Sequence, residues 1–261
     1  SARMSRMLKN IKAVLVDLSG TLHIGDTAVH GAQDAIAKLR NHRLKIKFVT
    51  NTTKESLRSL HSRLQRLGFD IDPDEIYSSL TSARRVVEEQ HLRPHLMLSD
   101  SAREDFDGVN VVHPNAVVMG LSPDHFNYDE MNHAMALLMG GAKLIAINKK
   151  RNVTGDRGVC SCTGICQQIV ESIVIGKPQK IFFFVAALSM GGCGCPLYGC
   201  VMIGDDVRDD VGGAIEAGMM GMLVRSGKYR AGDEMKIGLS SELVVEDVRA
   251  AVKVVLASVG S

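Results

Sequence analysis

The chain has 261 residues, 45% of them hydrophobic, enough for one large α/β domain or two smaller ones with a substantial core. Its 31 Lys and Arg nearly balance 29 Asp and Glu, Trp is absent and aromatics make up 4%, so neither a basic stripe nor stacking platforms point to nucleic acid as a partner. No run approaches the roughly 18 consecutive apolar residues of a membrane span, and the chain reads as a cytoplasmic protein with no membrane partner.

The start, Ser1 to Lys9, carries Arg and Lys without acids, as an organelle transit peptide would. It is short, and a tag remnant before a start at Met4 or Met7 explains it more simply. A strand follows at Ala13-Val14-Leu15-Val16 and ends on Asp17. A loop leads to about His30, and a helical period appears in Ala32, Ala35, Ile36 and Leu39. The run Ile46-Lys47-Phe48-Val49 reads as a second strand ending at Thr50-Asn51-Thr52-Thr53, whose hydroxyls suit a helix N-cap. Leu57, Leu60, Leu64 and Leu67 then keep helical spacing up to Gly68.

From about Ser82 to Val174 the rhythm continues with less polar chemistry. Strands are predicted at Leu96–Leu98, Val109–Val112, Ala116–Met119 and Leu144–Ile147, with a helix near Tyr128–Met139. This stretch reads as an inserted unit with linkers near Ser79–Ser82 and Ser172–Gly176. The division is therefore residues 1–80 and 176–261 as a core and 81–175 as an α/β cap. After Lys177-Pro178 come a helix at about Lys180–Leu188, a strand at Val201-Met202-Ile203, glycines at 212, 213 and 218 that suggest tight helix packing, and apolar runs at Met222–Val224 and Val248–Leu256. Strands alternating with helices predict an α/β fold with a doubly wound, right-handed parallel sheet.

In such sheets, ligands and chemistry gather beyond the carboxyl ends of the strands. Four polar residues fall there in chain order: Asp17, Thr50, Lys177 and Asp205. Asp205 opens the run Asp205-Asp206-Val207-Arg208-Asp209-Asp210, an excess of carboxylates that would repel one another without a cation. Oxygen donors with room for water and phosphate suit Mg²⁺. The set describes phosphoryl transfer. Asp17 would attack phosphorus, Thr50 and the Asn51 amide would bind the phosphoryl group, and Lys177 would neutralise the aspartyl phosphate. Asp205 would share Mg²⁺ with Asp17, with Asp206 or Asp210 supporting from behind and Asp209 structural.

The order Asp17-x-Ser19-Gly20-Thr21, Val49-Thr50-Asn51, Gly176-Lys177-Pro178 and Gly204-Asp205-Asp206 resembles the haloacid dehalogenase superfamily of phosphatases along the whole chain. An insert between the Thr50 and Lys177 motifs is similar to members with a large α/β cap of the C2 type. Asp17-Leu18-Ser19-Gly20-Thr21-Leu22-His23 and Asn51-Thr52-Thr53-Lys54-Glu55-Ser56 look most like the haloacid dehalogenase-like hydrolase domain-containing proteins, with the phospholysine phosphohistidine inorganic pyrophosphate phosphatases as close kin. The resemblance implies an aspartyl-phosphate intermediate, Mg²⁺ held by Asp17, Asp205 and the main-chain carbonyl of Ser19, and a small phosphorylated, P–N or diphosphate substrate. Ser19, Thr50, Asn51 and Lys177 would face that substrate. The resemblance also allows a homodimer, formed through cap or core.

One residue departs from the superfamily pattern. Its phosphatases usually carry a second Asp two residues after the nucleophile, as general acid and base, where this chain has Ser19. A serine hydroxyl cannot act as a carboxylic acid at neutral pH, and proton transfer of this kind is worth about 10²–10⁴-fold. Alkyl phosphoesters should therefore turn over slowly, while diphosphates, phosphoramidates and aryl phosphates lose less. The kin named above share a serine there by resemblance. The rival reading is a phosphoprotein-binding or scaffold protein that kept the fold and metal site without turnover. A dehalogenase has no need of Asp205-Asp206, and a receiver domain is about half this length.

Other features read more simply. The cysteines at 160, 162, 166, 193, 195 and 200 lack zinc-finger spacing and a neighbouring His, so reduced, partly buried thiols are expected. Lys149-Lys150-Arg151 could meet an anionic substrate, although short basic clusters are usually solvated loops. His23 lies near Asp17 in sequence but reads as a bystander, since no pair of histidines has metal-ligand spacing.

Overall fold

The structure is a computed structural model, and it describes residues 9–147, 153–155, 158–160, 171–191 and 196–259. Lys149-Lys150-Arg151 and Cys162, Cys166, Cys193 and Cys195 lie outside them, as does the side chain of Cys160. Cys200 is buried, its Sγ 3.9 Å from the Pro196 carbonyl oxygen.

In chain order the strands are β1 (Ala13–Asp17), β2 (His23–Ile24), β3 (Thr27–Ala28), β4 (Lys45–Thr50), β5 (Ile76–Ser78), β6 (Pro94–Met97), β7 (Ala116–Met119), β8 (Lys143–Ile147), β9 (Val153–Gly155), β10 (Gly158–Cys160), β11 (Ser172–Ile175), β12 (Cys200–Gly204), β13 (Met220–Val224) and β14 (Val244–Val245). The α-helices are α1 (Ala32–Asn41), α2 (Leu57–Arg66), α3 (Ser79–Glu89), α4 (Asp100–Arg103), α5 (Tyr128–Met139), α6 (Lys180–Leu188), α7 (Gly213–Glu216) and α8 (Val248–Val259).

Two compact units result. One gathers residues 1–50, 61–77 and 177–261, the other 51–60 and 78–176. The sequence division at 80/81 and 175/176 differs chiefly in 51–60, which cluster with the second unit.

The first unit is built on a six-stranded sheet in the order β14-β13-β12-β1-β4-β5. β1 pairs in parallel with both neighbours, Asp17 opposite Val49 of β4 and Val16 opposite Ile203 of β12. Every residue of β1, β12 and β13 is buried, because helices cover both faces of a parallel sheet. Ala13, Leu15, Cys200 and Met202 pack with Phe182, Phe183, Ala186 and Ala187 of α6 on one face. Strand alternation turns Val14, Val16, Val201 and Ile203 to the other, on which α1 and α8 pack together. α1 buries Ala32, Ala35, Ile36 and Leu39, the i, i+3, i+4, i+7 stripe seen in the sequence. Gly213 must be small, since a Cβ there would press on the Phe183 ring and the Pro178 backbone.

The second unit carries a parallel four-stranded sheet, β11-β8-β7-β6. Leu80, Ala83 and Val87 of α3 cover one face with Ala102 and Phe106, and Ala134 and Leu138 of α5 cover the other.

Three sequence expectations are corrected. Ser79–Ser82 is the first turn of α3 rather than a linker: Ser78 Oγ caps it by accepting from Thr81 N–H, and Ser79, fully buried, donates to the Thr52 carbonyl at 3.1 Å. A run of short polar side chains at a helix start resembles loop composition, and the partner of the buried Ser79 hydroxyl lies 27 residues back in the chain. Val109–Val112 is not a strand, because Asn110 Oδ1 accepts from the Val112 N–H at 3.0 Å and closes a turn that leaves Val111 and Val112 exposed. Ser172–Ile175 is the edge strand β11 rather than a linker.

Candidate active site

At the carboxyl edge of the first unit's sheet, β1 ends on Asp17, β4 on Thr50 and β12 at Gly204, just before Asp205. A π-helical turn, Val207–Gly212, follows and carries Asp210. Asp17, Thr50, Lys177, Asp205 and Asp210 are all buried. Lys177 Nζ lies 2.5 Å from Asp17 Oδ1 and 2.6 Å from Asp210 Oδ1, with the Val49 carbonyl at 3.4 Å. Asp17, Asp205 and Asp210 each offer a carboxylate oxygen, all within 4.8 Å of one another.

The local sequence explains this density. Gly204 has room for no side chain, because a Cβ would overlap the Asp210 carboxylate. Gly20, at φ 99°, brings the loop after β1 against Asp205 in a conformation only glycine adopts freely. Asp206 turns its carboxylate away from the cluster to cap the π-helical turn, accepting from Arg208 N–H at 3.1 Å and Asp209 N–H at 3.0 Å. Its own N–H donates to Asp210 Oδ2 at 3.0 Å. Both Asp210 oxygens are thus engaged, so Asp210 orients Lys177, and Asp206 supports Asp210 through its main chain.

Asp205 is different. Its Oδ2 accepts from Lys228 N–H at 2.7 Å, while its buried Oδ1 has no hydrogen-bond partner among the described residues. Among the described residues Asp17 Oδ2 receives one long contact, from Thr21 Oγ1 at 3.5 Å. Buried carboxylate oxygens without donors are costly unless a cation meets them. Three carboxylates against one ammonium leave the same need. The donor set fits a small oxygen-loving divalent ion between Asp17 and Asp205.

Electrostatics carry the same signature. Burial, then the charge of Asp210, pushes Asp17 from 3.8 up to about 7 despite Lys177. Burial and Asp210 likewise push Asp205 up to about 6. Burial alone would lower Lys177, but Asp17 and Asp210 outweigh it and hold the ammonium well above its usual range. A cation would reverse the upward shifts of the two acids.

Of the residues singled out from sequence, Asp17, Thr50, Lys177, Asp205 and Asp210 gather at one sheet edge. Ser19 sits on the adjoining loop with its side chain exposed and its backbone bridged to His23. Asn51 is half-buried and begins the second unit. His23 is buried, its Nδ1 2.8 Å from the Gly25 carbonyl, a loop-stabilising contact.

Sequence reasoning missed the turn after β13. Ser226 Oγ donates to the Gly20 carbonyl at 2.6 Å, and Gly227, at φ 58°, packs on Gly20 and Asp205. Its one visible signal was a Ser-Gly pair just past a strand's carboxyl end.

Known proteins share this arrangement of strands and motifs. The haloacid dehalogenase-like hydrolase family matches residues 14–112, and a HAD-hydrolase-like family matches 174–251. Human haloacid dehalogenase-like hydrolase domain-containing protein 2 is 50% identical over 252 residues, covering 94% of this chain and 96% of that protein. Human phospholysine phosphohistidine inorganic pyrophosphate phosphatase is 35% identical over 267 residues, 98% of each. The crystal structure of 4-nitrophenylphosphatase from Thermotoga maritima superposes with a TM-score of 0.83 at 22% identity, covering 95% of this chain and 99% of that one. The chain belongs to the haloacid dehalogenase-like hydrolases, with the fold of their C2-capped phosphatases.

Proposed function

We propose that this hydrolase is a Mg²⁺-dependent phosphatase that works through an aspartyl phosphate at Asp17 and favours diphosphate, P–N or aryl phosphate substrates of small size. The observation that carries the reading is the buried carboxylate pair, Asp17 and Asp205, with Asp205 Oδ1 lacking a donor among the described residues. Mg²⁺ held by Asp17, Asp205 and the Ser19 carbonyl would supply the charge that keeps both acids ionised at neutral pH and offsets the incoming phosphate.

The chain's own groups do the rest. Lys177, fixed between Asp17 and Asp210, holds Asp17 in place and neutralises charge on the transferred phosphoryl group. An oxygen of Asp17 bonds to phosphorus as the bond from phosphorus to the leaving group breaks, and the Thr50 hydroxyl donates to a phosphoryl oxygen. Water then attacks the aspartyl phosphate, releasing phosphate and the free carboxylate. Protonation of the leaving group distinguishes substrates. Ser19 offers no carboxylic acid for it, so leaving groups that depart as stable anions or take a proton from solvent are favoured. The name of the 35% identical relative, which specifies phospholysine, phosphohistidine and pyrophosphate, is in keeping with that preference.

The test compares hydrolysis of pyrophosphate, a phosphoramidate and an alkyl monophosphate, each with Mg²⁺ and with EDTA. Turnover of the first two at least about 10²-fold faster than the third, and only with Mg²⁺, is the expected result. Equal, fast rates on all three contradict the account of Ser19. Mg²⁺ binding without phosphate release from a broad panel of substrates would favour a scaffold or phosphoprotein-binding role instead.

A further inference from the structure

The two oxygens of Asp205 meet opposite fates because of a turn more than twenty residues downstream. Oδ2 is taken by the Lys228 N–H at 2.7 Å, and Oδ1 is left buried with no donor among the described residues. Two residues earlier in the same turn, Ser226 Oγ ties down the Gly20 carbonyl at 2.6 Å, next to Ser19 on the loop that carries Asp17. Gly227 lies between them, so close to Gly20 and Asp205 that a Cβ would overlap both. One three-residue turn therefore grips both sides of the carboxylate pair.

We infer that the turn Ser226-Gly227-Lys228 is a positioning element that makes Asp205 a one-oxygen ligand and so sets the site for Mg²⁺ over Ca²⁺. The inference rests on the metal reading above and deepens it. Ca²⁺ takes six to eight oxygens at about 2.3–2.6 Å and often accepts both oxygens of one carboxylate, whereas Mg²⁺ demands six at about 2.0–2.1 Å in near-ideal geometry. With Oδ2 held by a main-chain amide at 2.7 Å, two-oxygen binding by Asp205 has to swing the carboxylate off that amide or share Oδ2 between amide and ion, and either weakens a hydrogen bond to a buried acid. With the Gly20 carbonyl tethered, the loop bearing Asp17 and Ser19 cannot drift outward to fit a larger ion. Outer contacts of this kind govern metal affinity by about 10–100-fold.

The experiment titrates metal-stripped full-length protein with Mg²⁺ and, separately, with Ca²⁺ by calorimetry. It uses the unaltered chain, Ser226→Ala and Ser226→Thr, and records the melting temperature of each metal-free protein. Ser226 is half-buried on a surface turn, so the alanine variant is expected to melt near the unaltered chain. It should bind Mg²⁺ at least about 10-fold more weakly, with a smaller loss for Ca²⁺. Threonine, which keeps the hydroxyl, should restore most of the Mg²⁺ affinity. Unchanged Mg²⁺ affinity in Ser226→Ala, or equal losses for both ions, overturns the inference. Mg²⁺ affinity lost only in step with the metal-free melting temperature also overturns it, by reducing Ser226 to a folding role. Failure of the unaltered chain to bind Mg²⁺ overturns the metal reading and this inference with it.

Discussion

Replacing Asp17 by asparagine should stabilise the metal-free protein while abolishing its turnover, and the gain should grow with pH. Burial first, then the charges of Asp210 and Asp205, raise the Asp17 pKa from 3.8 to about 7 against the pull of Lys177. A carboxyl whose folded pKa is raised contributes stability that is complete below its unfolded pKa and is lost as pH rises through the folded one. The window here runs from about pH 4 to about pH 7. A rise of about three units at about 1.36 kcal/mol each gives a ceiling of about 4 kcal/mol at pH 8, and less than half of that at pH 5, where the carboxyl is ionised in the unfolded chain and still protonated in the folded one. Asparagine cannot ionise and keeps an oxygen for Lys177. In EDTA, Asp17→Asn should therefore melt about 5–15 °C above the unaltered chain at pH 8 and by clearly less at pH 5. Calorimetry at the two pH values reads the difference, and phosphate release with Mg²⁺ should fall by at least about 10³-fold. A variant less stable than the parent at pH 8, or a gain that ignores pH, would refute the picture of buried, mutually repelling acids.

Ser19→Asp should raise alkyl phosphatase activity, up to the roughly 10²–10⁴-fold that an acid-base group contributes; no gain in a folded variant removes the missing-acid argument. Gly20→Ala, at φ 99° and with its Cβ directed onto Asp205, should cost about 2 kcal/mol or more and weaken Mg²⁺ binding, readable by melting and calorimetry. Arg40 grips Glu75 with two bonds, at 2.7 and 2.6 Å, and also donates to the Asp70 carbonyl. Despite burial, the Arg40 bonds and the Asp72 N–H hold the Glu75 carboxyl below its usual value. Stability from a depressed acid is present above its unfolded pKa and lost below it, so Arg40→Ala should cost about 1 kcal/mol at pH 7 and much less at pH 3 in denaturant melts. Phe183→Ala, in the core of the first unit, should cost about 3–5 kcal/mol by the same measurement.

The elements most legible in the sequence are those whose signal is local. α1, α5 and α6 appear close to where periodicity puts them, because each buries a face spaced at helical intervals. The parallel strands were readable as short apolar runs ending in polar residues, and Asp17, Thr50 and Asp205 stood out by that position. Ser79–Ser82 misled because a Ser- and Thr-rich helix start looks like a linker, and the Thr52 carbonyl that takes the buried Ser79 hydroxyl lies 27 residues away. Val109–Val112 misled because β-branched composition says nothing of the Asn110 side chain that closes the chain into a turn.

The chain's own order of residues therefore determined the α/β architecture and placed four polar groups, Asp17, Thr50, Lys177 and Asp205, at or just past strand ends, since burial periodicity and strand ends are local properties. Only the tertiary structure decided what each acid does. Asp206 faces a helical turn, Asp210 pairs with Lys177, and Asp205 keeps one buried oxygen without a donor among the described residues. Those roles depend on donors delivered from far along the chain, Lys228 to Asp205 and Ser226 across 206 positions to Gly20. A buried carboxylate's function is set by which of its oxygens a distant amide reaches, and spacing along the sequence does not encode that.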